Sequence, residues 1–352
     1  MQSVANLVNE CHEEVEYFIF CGDVDLNGAA LENIEINKWV HYNDHTKVWY
    51  NGPDKISDNL VDQVEKIVPD VLYITGMFSW HFNIVPMVYC KAPKKILSTR
   101  GMLHPGALSQ KKWKKKVYLQ LFKLLEYHHK MIFHASDKAE EKFIRNYFGE
   151  PAQIVTASNF PNKIGEAPML YKERGSLRLI TITLISPVKN ILHVLRALEN
   201  ITGDIQYDIY GAIKDEDYWD ECKAQIKKLP SNIKVIVHKE IEPSKVKEAL
   251  QNAHVFILPS KSENFGHALY EALSAGRPVI TSHHTPWNCL QSSFAGMNVS
   301  LDGLAELSAA INFFVSMDME TLTLWHQGAI AYAETAIDVD VIRRDYELLF
   351  RG

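Results

Sequence analysis

Paired cysteines, long apolar runs and an excess of basic residues are all missing from this chain of 352 residues. Cys11, Cys21, Cys90, Cys222 and Cys289 are odd in number, scattered and without a Cys-x-x-Cys pair. They offer neither a disulfide framework nor a zinc site, so a reducing cytoplasm is the expected compartment. Residues 1–14 lack the apolar centre of a signal peptide. The longest apolar region, near Gly76 to Cys90, contains His81, Asn83 and Pro86, and implies no membrane span. A net charge of -6 argues against general nucleic-acid binding. Internal repeats, low-complexity tracts and Ser/His/Asp-type constellations do not occur. What is present is an ordinary soluble composition, 47% hydrophobic and 23% charged, in a length that supports two domains.

The most informative stretch runs from His254 to Ser282. Its first part, HVFILP, is a short run rich in Val, Phe and Ile, as a parallel strand buried on both faces requires. Ala268, Leu269, Ala272, Leu273 and Ala275 then recur at helical spacing, with Gly276 and Pro278 as stop signals, and VITS reads as the next strand. In such a unit a ligand belongs at the carboxyl end of the first strand and the amino end of the helix. Glu263 and Glu271 flank that point. If the whole span were helical they would stand roughly 12 Å apart, beyond the about 5 to 9.5 Å of a glycosidase carboxyl pair. The spacing suits a long ligand whose diphosphate sits near the helix amides.

Glu263, Asn264, Phe265, Gly266 and His267 through Glu271, with the surrounding LPSKSENFGHALYEALSAGRPVITS, resemble the signature of retaining GT-B glycosyltransferases of family 4. The resemblance implies an α/β fold of two Rossmann-like, doubly wound domains. It implies that Glu263 contacts a donor hexose, that Glu271 contacts the nucleotide ribose, and that the Asn264 to His267 turn meets sugar and phosphate. The family segment Gly-Arg-Leu-Ser-Pro-x-Lys-Asn is matched by Ser186, Pro187, Lys189 and Asn190, which makes Lys189 a diphosphate ligand and Ser186 a donor contact. Leu184 stands where the family has Arg, removing one cation from the clamp.

In the amino-terminal half, Val4, Leu7 and Val8 share a helix face, and EYFIFC follows as a strand. The family begins with a strand and a glycine-containing loop, and neither precedes that helix here. Either the sequence starts after them, which is the preferred reading, or the domain is built without them. A helix over Ile56 to Val68, a strand at VLYIT and a strand at KKILS continue the alternation of a doubly wound domain. The loop Thr99 to Gly106 carries Arg100, Gly101 and His104 at a strand end, and the resemblance turns it toward the acceptor. His104 reads equally as an ordinary loop histidine. Lys111, Lys112, Lys114, Lys115 and Lys116 head a helix whose apolar stripe is Val117, Leu121, Leu124 and Leu125. That helix either packs this stripe into the core with a solvated lysine face, or docks on an anionic membrane.

The expected division is 1–162 and 163–336, with the helix over 337–352 packing back on the first domain. Residues from Pro161 to Ser176 read as a polar linker. His283 to Asn288 follows a strand end and reads as a site loop or a plain turn. Three Asp-x-Asp triplets, Asp23/Asp25, Asp215/Asp217 and Asp338/Asp340, invite a metal-dependent reading. None sits where that chemistry needs it, and neither metal nor cofactor is assigned. The expected activity is retaining transfer of a sugar from a nucleotide-sugar to a glycan or lipid-linked acceptor, in the cytoplasm or on the inner membrane face. A nucleotide-sugar epimerase and a non-catalytic nucleotide-sugar-binding subunit are the alternatives.

Overall fold

The computed structural model describes residues 2–24, 28–109 and 112–352, and the chain forms two compact units, Met1–Phe160 with Val339–Gly352, and Pro161–Asp338.

The first unit opens with helix α1 (Gln2–Glu10), which buries Leu7 and Val8, and strand β1 (Tyr17–Gly22). Strands β2 (Trp39–Asn43) and β3 (Thr46–Asn51) form an antiparallel pair across the tight Asp44-His45 turn, and β1 joins β3 in parallel. The alternation reading missed this pair, because a two-residue connection forces antiparallel strands. After α2 (Ile56–Ile67) come β4 (Val71–Thr75), a π turn leading into α3 (Val85–Val88), β5 (Lys94–Ser98), α4 (Pro105–Ser109), α5 (Lys112–Leu124), β6 (Ile132–Ala135), α6 (Lys138–Phe148) and β7 (Ile154–Thr156). Strands β4-β5-β6-β7 make a second, wholly parallel sheet.

The second unit alternates as far as β12: β8 (Ser176–Ile182), α7 (Ile191–Leu198), β9 (Asp204–Tyr210), α8 (Glu216–Ile226), β10 (Ile233–Val237), α9 (Val246–Gln251), β11 (Val255–Leu258), α10 (His267–Ser274) and β12 (Val279–Ser282), followed directly by β13 (Gly296–Val299) and then by α11 (Ala305–Ser316) and α12 (Met319–Ala336). Its six strands are all parallel in the order β10-β9-β8-β11-β12-β13. The chain therefore runs outward from β8 in one direction and from β11 in the other, which leaves a crevice at their carboxyl ends. One face of the sheet carries α7, α8 and α11, and the other carries α9 and α10. The last helix, α13 (Val339–Arg351), belongs to the first unit and buries Ile342, Tyr346 and Leu349.

The stretch expected as a polar linker is anchored to the second unit. Ala167 is fully buried, Arg277 donates to its carbonyl and to that of Pro168, and the Lys172 ammonium donates to the carbonyls of Glu173, Val315 and Met317. Burial pushes the Lys172 ammonium down to about 8.

Each unit also buries a neutral histidine. His134 gives its Nε2 proton to the Ala157 carbonyl at 2.8 Å, and His254 gives its own to the Tyr171 carbonyl at 3.0 Å while its Nδ1 accepts from the Arg178 amide. Burial drives both imidazoles from the usual 6.5 down to about 4. The unfolded chain takes up these protons below about pH 6.5 and the folded chain resists them, so stability is complete above that pH and falls as pH drops toward 4. Each histidine is expected to cost on the order of 2 kcal/mol by pH 4.5. Urea unfolding across this range checks it, with His254→Gln flattening the slope.

Candidate active site

Where β8 and β11 diverge, two loops leave the same edge of the sheet. After β11, Ser260 is fully buried and its hydroxyl donates to Glu263 Oε1 at 2.7 Å. After β8, Lys189 reaches the same oxygen with its ammonium at 2.5 Å. The pair is mostly covered, with 23% of the Lys189 side chain and 10% of the Glu263 side chain exposed, so its attraction is screened less than that of a surface pair. A backbone bond ties the two loops together, from the Lys261 amide to the Val188 carbonyl, and the Lys189 amide donates to the Ser186 carbonyl within its own loop. A carboxylate and an ammonium from residues 74 positions apart thus meet at the crevice.

The helix begins where the helical spacing does, after a turn. Residues from Glu263 to Gly266 form an irregular turn, and α10 starts at His267. Gly266 closes the turn in the left-handed region, φ 75°, and a Cβ there would stand 3.1 Å from both Leu269 and the Trp287 ring. Trp287, from the His283 to Asn288 loop, donates its indole proton to the Phe265 carbonyl at 2.6 Å and packs edge-on against the Phe265 ring. That loop is therefore a brace for the turn, while His283 and His284 themselves are exposed. Phe265 and His267 lie ring to ring at 4.5 Å, and Asn264 is exposed. Glu271 is not on a surface face: it is 6% exposed, and accepts a hydrogen bond from Asn162 at 2.9 Å.

Sequence reading missed Asn162 and Ser260 as partners of the two carboxylates, and it missed Lys214. Beyond β8, Ile185 pairs in parallel with Ile213; the Ile185 amide donates to the Ala212 carbonyl, and the Lys214 amide donates back to the Ile185 carbonyl. Gly211 permits this approach, since a Cβ there would lie 1.8 Å from the Thr183 carbonyl oxygen. Paired residues of a parallel ladder face the same side, and alternate residues face opposite sides. Ile185 is buried under α7, α8 and α11, and the register of this bridge puts Leu184 beside Ala212 and Ser186 beside Lys214. Lys214 is exposed, and its ammonium has no partner among the described residues. No spacing rule could bring it beside Ser186; only the neighbouring of β8 and β9 does.

In the first unit, Arg100, Gly101 and His104 form a braced loop. Glu140 is 3% exposed and accepts from the Thr99 hydroxyl, the Gly101 amide, and both the amide and hydroxyl of Ser136. Burial alone would raise its carboxyl, but these donors outweigh it and hold the group below its usual range. Arg100 donates to Asn159 and, at 3.0 Å, to the Tyr73 hydroxyl. His104 accepts the Gly106 amide and packs edge-on against Phe143. Asp215 caps α8, Asp340 pairs with Arg343, and Asp25 lies outside the described residues. Among the described residues, no group of three His, Cys, Asp or Glu is placed to hold a metal ion.

At the reversal of strand order a lysine thus meets a glutamate, and a second carboxylate lies on the adjoining helix. Residues 172–289 match the family model of the glycosyl transferases group 1. The match lies within the second unit and includes Lys189, Glu263 and Glu271. No curated protein matches the chain. Among solved structures, Anabaena HepE in complex with UDP and glucose is similar at TM-score 0.62 and 16% identity, over 87% of this chain and 86% of that one. Sucrose-phosphate synthase from Thermosynechococcus elongatus is similar at TM-score 0.70 and 14% identity, over 95% and 88%. WaaG, a glycosyltransferase of lipopolysaccharide biosynthesis, is similar at TM-score 0.59 and 12% identity, over 89% of each chain. At these identities the likeness establishes the fold, which is GT-B.

Proposed function

We propose that this glycosyltransferase moves a hexose from a nucleoside-diphosphate sugar to an acceptor hydroxyl with retention at the anomeric carbon, without a metal ion. The Lys189–Glu263 pair at the divergence of β8 and β11 carries the reading. Glu263 holds the sugar, Lys189 and the first amides of α10 hold the diphosphate, and Glu271, steadied by Asn162, holds the ribose. Ser186 and the Asn264 to His267 turn complete the donor contacts, and Arg100, Gly101 and His104 belong to the acceptor side. As the bond from the anomeric carbon to the phosphate oxygen breaks, the acceptor oxygen bonds to that carbon on the same face. Its proton passes to the departing phosphate oxygen, whose charge Lys189 stabilises. The acceptor is a growing polysaccharide or lipid-linked glycan, met in the cytoplasm at the inner face of a membrane. HepE bound to UDP and glucose, and WaaG in lipopolysaccharide synthesis, support the donor and acceptor classes.

In this reading Lys214, which the bridge register puts beside Ser186, supplies the cation that Leu184 does not. Lys214→Gln should weaken binding of the preferred nucleoside diphosphate about tenfold, the worth of one charge-assisted hydrogen bond, while binding of the nucleoside alone is unchanged. Leu184→Arg in that background should restore most of the loss. Calorimetry with UDP, GDP and ADP checks both; equal affinity of Lys214→Gln and wild type for the best of them removes Lys214 from the clamp. A second reading, a non-catalytic nucleotide-sugar-binding subunit, is favoured by Leu184. Slow hydrolysis of the bound donor without acceptor separates them, since a binding subunit leaves the donor intact.

A further inference from the structure

Helix α5 has two apolar faces, and only one is in the core. Leu119 and Phe122 are buried, Tyr118 packs beside them, and Lys115 turns inward to the Ala107 carbonyl and over the Phe78 ring. On the other side Trp113 is 77% exposed, Leu121 50% and Leu124 77%, with Val117 and Leu125 also open. Trp113, Val117, Leu121 and Leu124 follow one another at spacings of four, four and three, so they form one outward ridge. Lys114 borders the ridge on one side, and Lys116 and Lys123 on the other, all three exposed. The stripe that the sequence offered to the core is thus turned to solvent. Lys111 lies outside the described residues, and Lys115 is no part of the surface charge.

An outward apolar ridge flanked by one lysine on one side and two on the other is unfavourable in water and matches the boundary of an anionic bilayer, where apolar side chains enter the acyl region and ammonium groups remain among phosphates. We infer that α5 docks this protein on anionic lipid by inserting Trp113, Val117, Leu121 and Leu124, with Lys114, Lys116 and Lys123 choosing the lipid charge. The charge of the ridge margins is what selects lipid over an apolar protein groove. Docking rests on the proposed glycosyl transfer only for the idea that the acceptor is lipid-linked, and its test does not involve transfer. No helix among the described residues is long and apolar enough to cross a membrane, so attachment of this kind is reversible.

The full chain should co-sediment with vesicles of phosphatidylcholine and phosphatidylglycerol, and at least tenfold less with phosphatidylcholine alone. Lys114→Gln/Lys116→Gln/Lys123→Gln should remove that preference. Leu121→Ser/Leu124→Ser should lower binding about tenfold while leaving its salt dependence, and neither change touches the core. Trp113 should be shielded from an aqueous quencher only with anionic vesicles. No binding to anionic vesicles, equal binding to both kinds, or a dimer in solution that shields Trp113 without lipid would each overturn the inference. Nucleoside diphosphate binding, measured without vesicles, should be the same for all variants; its absence from wild type would defeat the donor reading and leave the docking result standing.

Discussion

Glu263→Gln is expected to lose about three orders of magnitude in sugar transfer while binding the free nucleoside diphosphate as wild type does. The amide keeps the shape of the side chain and an oxygen to accept from Ser260 and Lys189, so the turn before α10 should hold its form. What disappears is a negative charge beside the sugar and the strength of its hydrogen bonds, and both matter most when the anomeric carbon becomes electron-poor. Glu271→Gln makes the contrasting case. Its carboxylate is buried on α10 and steadied by Asn162, at a position assigned to the ribose, so the loss should fall on nucleotide affinity. Calorimetry with nucleotide and a transfer assay with donor, run on both variants, decide between them. Equal loss of nucleotide affinity in both, or near-normal turnover in Glu263→Gln, would refute this division of roles.

How much of this could be read from the chain depends on how local each feature is. The unit from β11 to β12 was legible because its signals lie within one continuous stretch: an apolar strand, a helical period, a glycine stop. Lys189 was found for the same reason, as one residue at one strand-to-helix junction. Strand order is not local. Nothing in the period of β8 says that β11, and not β9 alone, will lie beside it, so the meeting of Lys189 with Glu263 and the place of Lys214 had to come from the sheet. The helix α5 shows a different limit. Periodicity located an apolar stripe at Val117, Leu121 and Leu124, but the same helix carries a second one at Leu119 and Phe122, and the sequence cannot say which the core takes. Similarly, the polarity of residues 161–176 hid an anchored segment, because Lys172 is paired with carbonyls that lie more than 140 residues away.

Lys189 is expected to contribute to turnover and to stability through the same ammonium, and the two can be separated. Lys189→Met keeps the length and apolar stem but leaves Glu263 covered and, among the described residues, supported by Ser260 alone. An under-satisfied, mostly buried carboxylate should destabilise the second unit by about 1–3 kcal/mol. Turnover should fall by about two to three orders of magnitude with every nucleotide-sugar tried, because the diphosphate is common to all of them. Adding Glu263→Gln to Lys189→Met removes the stranded charge, so denaturant midpoints should recover toward wild type. Turnover should not recover, since neither the charge that meets the diphosphate nor the one that meets the sugar has returned. The cycle of wild type, two single variants and the double variant therefore gives a positive coupling in stability and none that rescues catalysis. Recovery of turnover in the double variant would remove both the Lys189 ammonium and the Glu263 carboxylate from the chemical step, and the diphosphate would then need Lys214 and the amides of α10 as its ligands.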